Sequence, residues 1–171
     1  MTESSTPPDA VGPPDAMERF GGGALAADEL REFLAGAWVC KLGTLTDDGA
    51  PYVTPLWYEY EPDAESYVLI GRERAVWLAH VRRDPRVALC IDDPDGSHRR
   101  VLVQGRAEIV EGPSTRGPWL PTARRMAERY MGGADGGAYM ERTLDFPRYT
   151  VRIIPEKTTT WRGGWARKYY A

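Results

Sequence analysis

The sequence contains little of what metal sites, disulfide frameworks and membrane segments require. Its 171 residues include two histidines and two cysteines, and Cys40 and Cys90 lie far apart with no Cys-x-x-Cys pair. This spacing predicts buried free thiols rather than a disulfide or a zinc site. The first residues lack the basic-then-apolar pattern of a signal peptide, and no apolar run approaches the length of a membrane span. We therefore expect a soluble, cytoplasmic protein that binds neither metal nor membrane.

Lysine is also scarce. Only Lys41, Lys157 and Lys168 carry an ammonium group, so arginine supplies nearly all of the 22 positive charges. The net charge of −3 argues against nucleic-acid binding, which requires a concentrated excess of positive charge. Arginine suits forked contacts with phosphate or carboxylate, although genomic base composition would produce the same bias.

Apolar periodicity and turn residues predict a mainly β protein with short helices. A disordered arm is predicted over residues 1–24, and a single domain is predicted over residues 25–171. Helices are predicted over residues 27–34, 74–83 and 120–145, the last interrupted at Gly132-Gly133 and Gly136-Gly137. Strands are predicted over residues 37–46, 50–60, 66–71, 86–92, 99–110, 148–154 and 157–161. Six or seven short antiparallel strands indicate a barrel rather than an α/β sheet.

The hairpin of residues 43–60 contains the most informative residue. Asp48-Gly49 tolerates the positive φ of a tight turn, and β-branched and aromatic residues flank it. Pro55, in the second strand, has no N–H to donate to a neighbouring strand. It therefore marks an edge strand, a bulge, or a position alongside a flat ligand.

Four segments in order resemble the pyridoxamine 5'-phosphate oxidase-like superfamily, the flavin-binding split barrels that also include deazaflavin-dependent reductases. They are Glu32-Phe33-Leu34, Gly49-Ala50-Pro51-Tyr52-Val53-Thr54-Pro55-Leu56-Trp57, Arg82-Arg83-Asp84-Pro85-Arg86-Val87-Ala88-Leu89 and Val101-Leu102-Val103-Gln104-Gly105-Arg106-Ala107. The match extends from about Ala27 to Trp165. The resemblance implies a homodimeric split β-barrel with two cofactor sites at the interface, each built from both chains.

The resemblance also implies which residues bind the cofactor. The strand that contains Pro55 lies along the edge of an isoalloxazine-type ring, Arg72 and Arg74 hold a phosphate, and Trp77 stands where many relatives carry a lysine. Arg100 or Gln104 donates to a ring carbonyl, and Trp161 covers the ring. The full set is Val53, Thr54, Pro55, Leu56, Trp57, Ile70, Gly71, Arg72, Arg74, Trp77, Arg100, Gln104 and Trp161. Without the resemblance, the two arginines read as a solvated helix start, Arg100 and Gln104 as an outward polar stripe, and Trp161 as a dimer contact.

The function implied by the resemblance is that of an oxidoreductase. It would use FMN or coenzyme F420 to move a hydride to or from a small conjugated substrate. True pyridoxamine phosphate oxidase activity is not expected, because residues 166–168 read Ala-Arg-Lys where those oxidases have Arg-x-His. The sequence identifies no catalytic residue, but Tyr52, Tyr58 and Tyr60 are candidate proton donors. The alternative is a non-catalytic carrier or sensor of flavin or haem, with His80 and His98 as candidate haem ligands; haem is the less favoured cofactor.

Overall fold

One curled antiparallel sheet organises the fold. The computed structural model describes residues 23–94 and 98–163. Within these residues the chain forms, in order, α1 (Ala27–Leu34), β1 (Cys40–Leu45), β2 (Pro51–Leu56), β3 (Glu59–Glu61), β4 (Ser66–Arg72), α2 (Val76–Arg83), β5 (Arg86–Asp92), β6 (Arg100–Ser114), α3 (Trp119–Met131), α4 (Gly133–Thr143) and β7 (Arg148–Trp161). The mainly β composition with short helices is as predicted.

The strand order explains why the sheet curls. The strands lie in the order β2-β1-β5-β6-β7-β4-β3, and every neighbouring pair is antiparallel. Strands β2 and β3 form the two edges, yet only Trp57 and Tyr58 separate them in the chain. The two edges must therefore meet at this end of the sheet. This is the split barrel that the sequence predicted, and Pro55 lies on its edge strand β2.

The barrel and the last two helices have separate hydrophobic cores. Along β6, Val101, Val103 and Ala107 are buried while the alternate side chains face outward. Helices α1 and α2 add their own apolar faces to this barrel core. A smaller core lies within the α3–α4 hairpin, around Trp119 and Met140. The boundary between these two cores is where a ligand site can form.

Strand β7 is continuous where two strands were predicted. The prediction left Pro155 and Glu156 outside both strands, whereas the structure includes them in β7 although proline cannot donate to a ladder. Strand β4 pairs with β7 only as far as Ile153, so Pro155 has a neighbour on the β6 side alone. A register shift opposite Gln104 and Gly105 accommodates the irregularity. The missing N–H therefore lies on what is locally an edge strand.

Two other predicted boundaries were wrong. The strand predicted over residues 50–60 is divided into β2 and β3 at Trp57 and Tyr58, where the chain crosses between the sheet edges. Gly136-Gly137 does not interrupt a helix but lies inside α4. A Cβ at Gly136 would lie 2.6 Å from the backbone of Ala127 in α3, so this glycine allows the two helices to approach closely. Only Gly132 separates the helices, as predicted for the first glycine pair.

The remaining expectations concern the thiols and the N-terminal arm. Both cysteines are free, Cys40 buried and Cys90 half-buried, and burial raises the pKa of Cys40 to about 12. The predicted arm lies outside the described residues except for Gly23 and Ala24, and Gly23 forms a bridge with Arg162. In the described part of the chain, no helix is long and apolar enough to span a bilayer.

Candidate functional site

A cavity of about 770 Å³ opens between the barrel and the α3–α4 hairpin. Ligand pockets in proteins typically measure roughly 300–1,000 Å³. Its lining residues are Val39, Pro55, Leu56, Trp57, Ile70, Gly71, Arg72, Arg74, Ala75, Trp77, Ala123, Met126, Met131, Tyr139, Met140 and Arg148. Most are apolar or aromatic, and the three charged ones are all arginines.

The barrel side of the cavity is a tightly packed wall. Trp77, from the first turn of α2, is only 4% exposed and belongs to the barrel core. Its indole lies against Gly71 of β4, where a Cβ would come within 2.6 Å of the ring. Gly71 therefore lacks a side chain because the indole occupies that space. The position where relatives carry a lysine is thus part of the core, and any positive charge must come from other residues.

The hairpin side of the cavity is lined by flexible apolar side chains. Met126 and Met131 of α3 and Met140 of α4 contribute thioethers, which adapt to irregular or flat ligands. Trp57 connects the two sides, because its ring stacks on Tyr130 at a centroid distance of 5.1 Å and an interplanar angle of 6°. The same indole meets Tyr139 edge-on at 5.5 Å.

Several polar contacts attach the hairpin to the barrel. The Tyr130 hydroxyl donates to the Trp38 carbonyl at 2.8 Å. The Arg129 guanidinium donates to the carbonyl of Tyr58 and lies 5.2 Å from the Tyr130 ring. Because Tyr58 belongs to the link between β2 and β3, these bonds hold α3 against the point where the sheet edges meet. The cavity is therefore bounded by elements fixed to each other.

The most unusual group in the cavity is the guanidinium of Arg148. The residue is only 3% exposed, and its Cζ lies 4.6 Å from the centre of the Trp119 ring. Its Nη2 donates to the Thr143 hydroxyl at 2.6 Å, whereas its Nη1 is buried without a hydrogen-bond partner. Burial lowers the pKa of Arg148 and the nearby charge of Arg72 lowers it further, while the Tyr139 hydroxyl offsets part of both effects.

Arg72 lies directly opposite Arg148. The two are register partners on β4 and β7, and Arg72 Nη2 donates to the Tyr139 hydroxyl at 3.3 Å. Its guanidinium also lies 5.0 Å from the Phe146 ring. Among the described residues, no carboxylate forms an ion pair with either arginine. The cavity is consequently both apolar and positively charged.

The structure brings together eight of the residues that the resemblance implied. Those that line the cavity are Pro55, Leu56, Trp57, Ile70, Gly71, Arg72, Arg74 and Trp77. The other five lie elsewhere on the sheet. Val53 and Thr54 precede them on edge strand β2, and Gln104 faces outward from β6. Arg100 and Trp161 are register partners on β6 and β7, with the guanidinium 5.1 Å from the indole.

The candidate proton donors and haem ligands do not line this cavity. Tyr58 is buried and donates to the Leu34 carbonyl at 3.1 Å, and burial raises its pKa. His80 is buried in the barrel, where its Nδ1 lies 2.9 Å from the Thr44 hydroxyl. His98 is an exposed residue with a positive φ. Residues 166–168, on which the argument against pyridoxamine phosphate oxidase activity depends, lie outside the described residues.

Sequence reasoning missed the contribution of the hairpin. Ala123, Met126 and Ala127 follow helical spacing, so an apolar face on α3 was detectable. Nothing in the sequence indicated that this face borders a cavity. Arg148 was placed at the start of a strand, but its proximity to Arg72 arises from the pairing of β4 with β7. That pairing is a property of the folded sheet alone.

No group of three His, Cys, Asp or Glu side chains within residues 23–94 and 98–163 is arranged to hold a metal ion. The groups that the cavity itself presents are its apolar walls, its arginines and the Tyr139 hydroxyl.

Comparison with solved structures finds the same fold in other proteins. The conserved hypothetical protein Rv2991 of Mycobacterium tuberculosis shares 27% identity and superposes with a TM-score of 0.63, covering 81% of this chain and 85% of its own. The haem storage protein HutZ of Vibrio cholerae shares 18% identity with a TM-score of 0.60, covering 80% and 95%. An F420 reductase shares 22% identity with a TM-score of 0.57, covering 75% and 94%. No curated protein sequence gives a significant match.

The family model for pyridoxamine 5'-phosphate oxidase matches residues 26–162, which include all strands and helices described above. This match confirms the resemblance that the four sequence segments indicated, and the chain belongs to the pyridoxamine 5'-phosphate oxidase-like family.

Proposed function

We propose that the protein is an oxidoreductase that binds FMN or coenzyme F420 in the cavity between the barrel and the α3–α4 hairpin. The observation that supports this proposal is the lining of the cavity. The lining is mostly apolar and aromatic, and its charged residues are all arginines. Both cofactors combine a flat conjugated ring with an anionic tail. An apolar slot with adaptable thioether walls suits the ring, and guanidinium groups suit the tail. When bound, either cofactor supplies hydride transfer to or from a conjugated small molecule.

In this proposal the chain's own residues bind and orient the cofactor and exclude water from its ring. The end of β2, from Pro55 to Trp57, lies along one edge of the ring, and the methionines of the hairpin cover it. Arg72 and Arg74 neutralise the anionic tail. Trp57 and Trp77 keep water from the ring, which strengthens every polar contact inside the cavity.

The proposal includes a homodimer, because five of the implied residues lie outside the cavity of a single chain. Val53, on edge strand β2, is 64% exposed, and an edge strand can pair with another chain. We propose that a second copy covers this edge and brings Arg100, Gln104 and Trp161 to the partner's ring. Measurement of the molar mass in solution by light scattering tests this, and a monomer that still binds cofactor fully would contradict it.

Titration of the purified protein with FMN, coenzyme F420 and haemin tests the proposed function, with ring absorbance and tryptophan fluorescence as readouts. A Met131→Trp substitution narrows the cavity at a side chain that is 37% exposed, and should weaken binding by about tenfold or more. Val110→Trp is the matched control, since Val110 is 45% exposed and does not line the cavity. Binding of neither FMN nor coenzyme F420 would overturn the proposal.

The alternative function is that of a non-catalytic carrier or sensor. The shared fold of the haem storage protein HutZ supports it, but neither histidine of this chain lines the cavity. Incubation of the loaded, reduced protein with quinone and enone acceptors separates the two functions. Oxidation of the cofactor that depends on the acceptor indicates an oxidoreductase, and stable retention of the reduced cofactor indicates a carrier.

A further inference from the structure

A buried positive charge without a counter-charge is the feature that the proposed function leaves unexplained. Arg148 is 3% exposed, and Arg72 lies directly opposite it on the neighbouring strand. Like charges at opposed positions destabilise a sheet, and burial of a charge is costly unless it is paired. Within the described residues no carboxylate pairs with either guanidinium. The fold therefore maintains an arrangement that, without an anion, weakens it.

The surroundings of Arg148 fix its guanidinium rather than neutralise it. The Trp119 ring supports one face of the group, and Nη2 donates to the Thr143 hydroxyl at 2.6 Å. Thr143 in turn donates to the carbonyl of Tyr139 at 2.8 Å. Nη1 remains buried with no acceptor in a residue that lines the cavity. The guanidinium is thus held in place with one donor group free.

The Tyr139 hydroxyl completes the cluster. It accepts from Arg72 Nη2 at 3.3 Å, and Tyr139 itself lines the cavity. The cluster of Arg72, Arg148 and Tyr139 therefore presents guanidinium and hydroxyl donors together with two positive charges. A phosphate monoester carries about −1.5 to −2 charges at neutral pH and has three acceptor oxygens. The charge of such a phosphate matches the two guanidinium charges, and its three acceptor oxygens match the donors of the cluster.

We propose that Arg72, Arg148 and Tyr139 form a phosphate site that takes the terminal phosphate monoester of the ligand bound in the cavity. Arg148 is the inner donor of this site, and the more exposed Arg72 is the outer donor. The assignment deepens the proposed function, on which it rests for FMN, by adding Arg148 and Tyr139 to the site, and it applies equally to a phosphorylated substrate. It is tested with no flavin present.

Calorimetric titration with inorganic phosphate at low ionic strength is the test. Wild-type protein should bind phosphate, and Arg148→Met should weaken this binding by at least about tenfold, since hydrogen bonds to charged groups are strong. Arg124→Met is the matched control. It removes one positive charge from α3, but Arg124 is a surface residue paired with Glu141, so it should leave phosphate binding unchanged. Acetate, a monoanion, should bind at least about tenfold more weakly than phosphate.

Thermal unfolding separates a binding role from a structural one. Without phosphate, the unfolding temperature of Arg148→Met should equal or exceed that of the wild type, because an unpaired buried charge is removed. Phosphate should raise the unfolding temperature of the wild type and not that of the variant. Arg72→Met is the second variant, since Arg72 is exposed and its removal does not disturb the core. It should weaken phosphate binding as well.

Several results would overturn the phosphate site. They are wild-type protein that does not bind phosphate, phosphate binding that survives in both variants, binding lost equally in Arg124→Met, or acetate that binds as tightly as phosphate. A comparison of FMN with riboflavin then identifies the source of the phosphate. An FMN advantage that disappears in Arg148→Met assigns the site to the cofactor. Equal binding of FMN and riboflavin, with phosphate binding still lost in the variant, assigns it to a phosphorylated substrate.

Discussion

The two sides of the cavity differ in whether they bury a polar group that lacks a hydrogen-bond partner. On the barrel side, Trp77 packs against Gly71 as part of a continuous apolar core. On the hairpin side, Arg148 is buried with one donor unpaired. Helix α3 of the hairpin contains another cation, Arg129, whose guanidinium donates to a backbone carbonyl. From this comparison we expect the barrel side and Arg129 to serve stability, whereas our proposal gives Arg148 a role in binding.

The largest expected effect tests whether the barrel side is core. Trp77→Ala removes a side chain that is 4% exposed and should lower the free energy of unfolding by about 3–5 kcal/mol. Urea denaturation followed by circular dichroism measures this. Trp77→Phe should retain most of the stability, because it keeps an aromatic ring in the same space. A loss of unfolding free energy below about 1 kcal/mol for Trp77→Ala would contradict the assignment of Trp77 to the barrel core.

Replacement of Arg129 tests the distinction between the two arginines on the hairpin side of the cavity. Arg129→Met removes the donor to the Tyr58 carbonyl and should cost about 1–3 kcal/mol of unfolding free energy. Arg148→Met, measured in the same denaturation series, should cost nothing. The comparison fails if both variants lose the same stability, since both arginines would then be structural.

Sequence reasoning recovered the barrel better than the hairpin, and the reason is physical. Strand β5 was predicted at its observed bounds, Arg86–Asp92, because a short strand between turn residues depends on local chemistry. The structural role of a glycine is harder to predict from the sequence. Gly132 separates two helices, whereas Gly136 lies inside α4 and allows contact with α3. A sequence contains the glycine but not the neighbouring backbone that decides its role.

The same limit applies to the candidate site. Pro55, Leu56 and Trp57 were found because they belong to a segment with a family pattern. Arg148 could not be found, because its unusual burial and its position opposite Arg72 exist only once β4 pairs with β7. Residues that bind through a local motif are thus visible in a sequence, and those that act through long-range pairing are not.

The adjacent glycines of α4 test the contact between α3 and α4, and the expected changes in stability are smaller. Gly136→Ala places a Cβ 2.6 Å from the Ala127 backbone and should lower the unfolding free energy by about 1 kcal/mol, the strain exceeding the gain in helix propensity. Gly137→Ala is the control, since nothing lies within 4 Å of its Cβ position. That variant should gain up to about 1 kcal/mol. Thermal denaturation of the two variants side by side should therefore give shifts of opposite sign, and shifts of the same sign would contradict the close helix contact.

The smallest effect concerns the hydroxyl between the two cavity arginines. Tyr139→Phe keeps the ring that meets Trp57 at 5.5 Å and removes only the acceptor of the Arg72 bond. Stability should change by less than about 0.5 kcal/mol, because the bond is long and at an exposed arginine. Phosphate affinity measured by calorimetry should fall only a few-fold, about what a neutral hydrogen bond contributes. If instead Tyr139→Phe abolished phosphate binding while Arg148→Met did not, the hydroxyl rather than the buried guanidinium would be the principal donor, and the hairpin side would owe its binding role to α4 instead of β7.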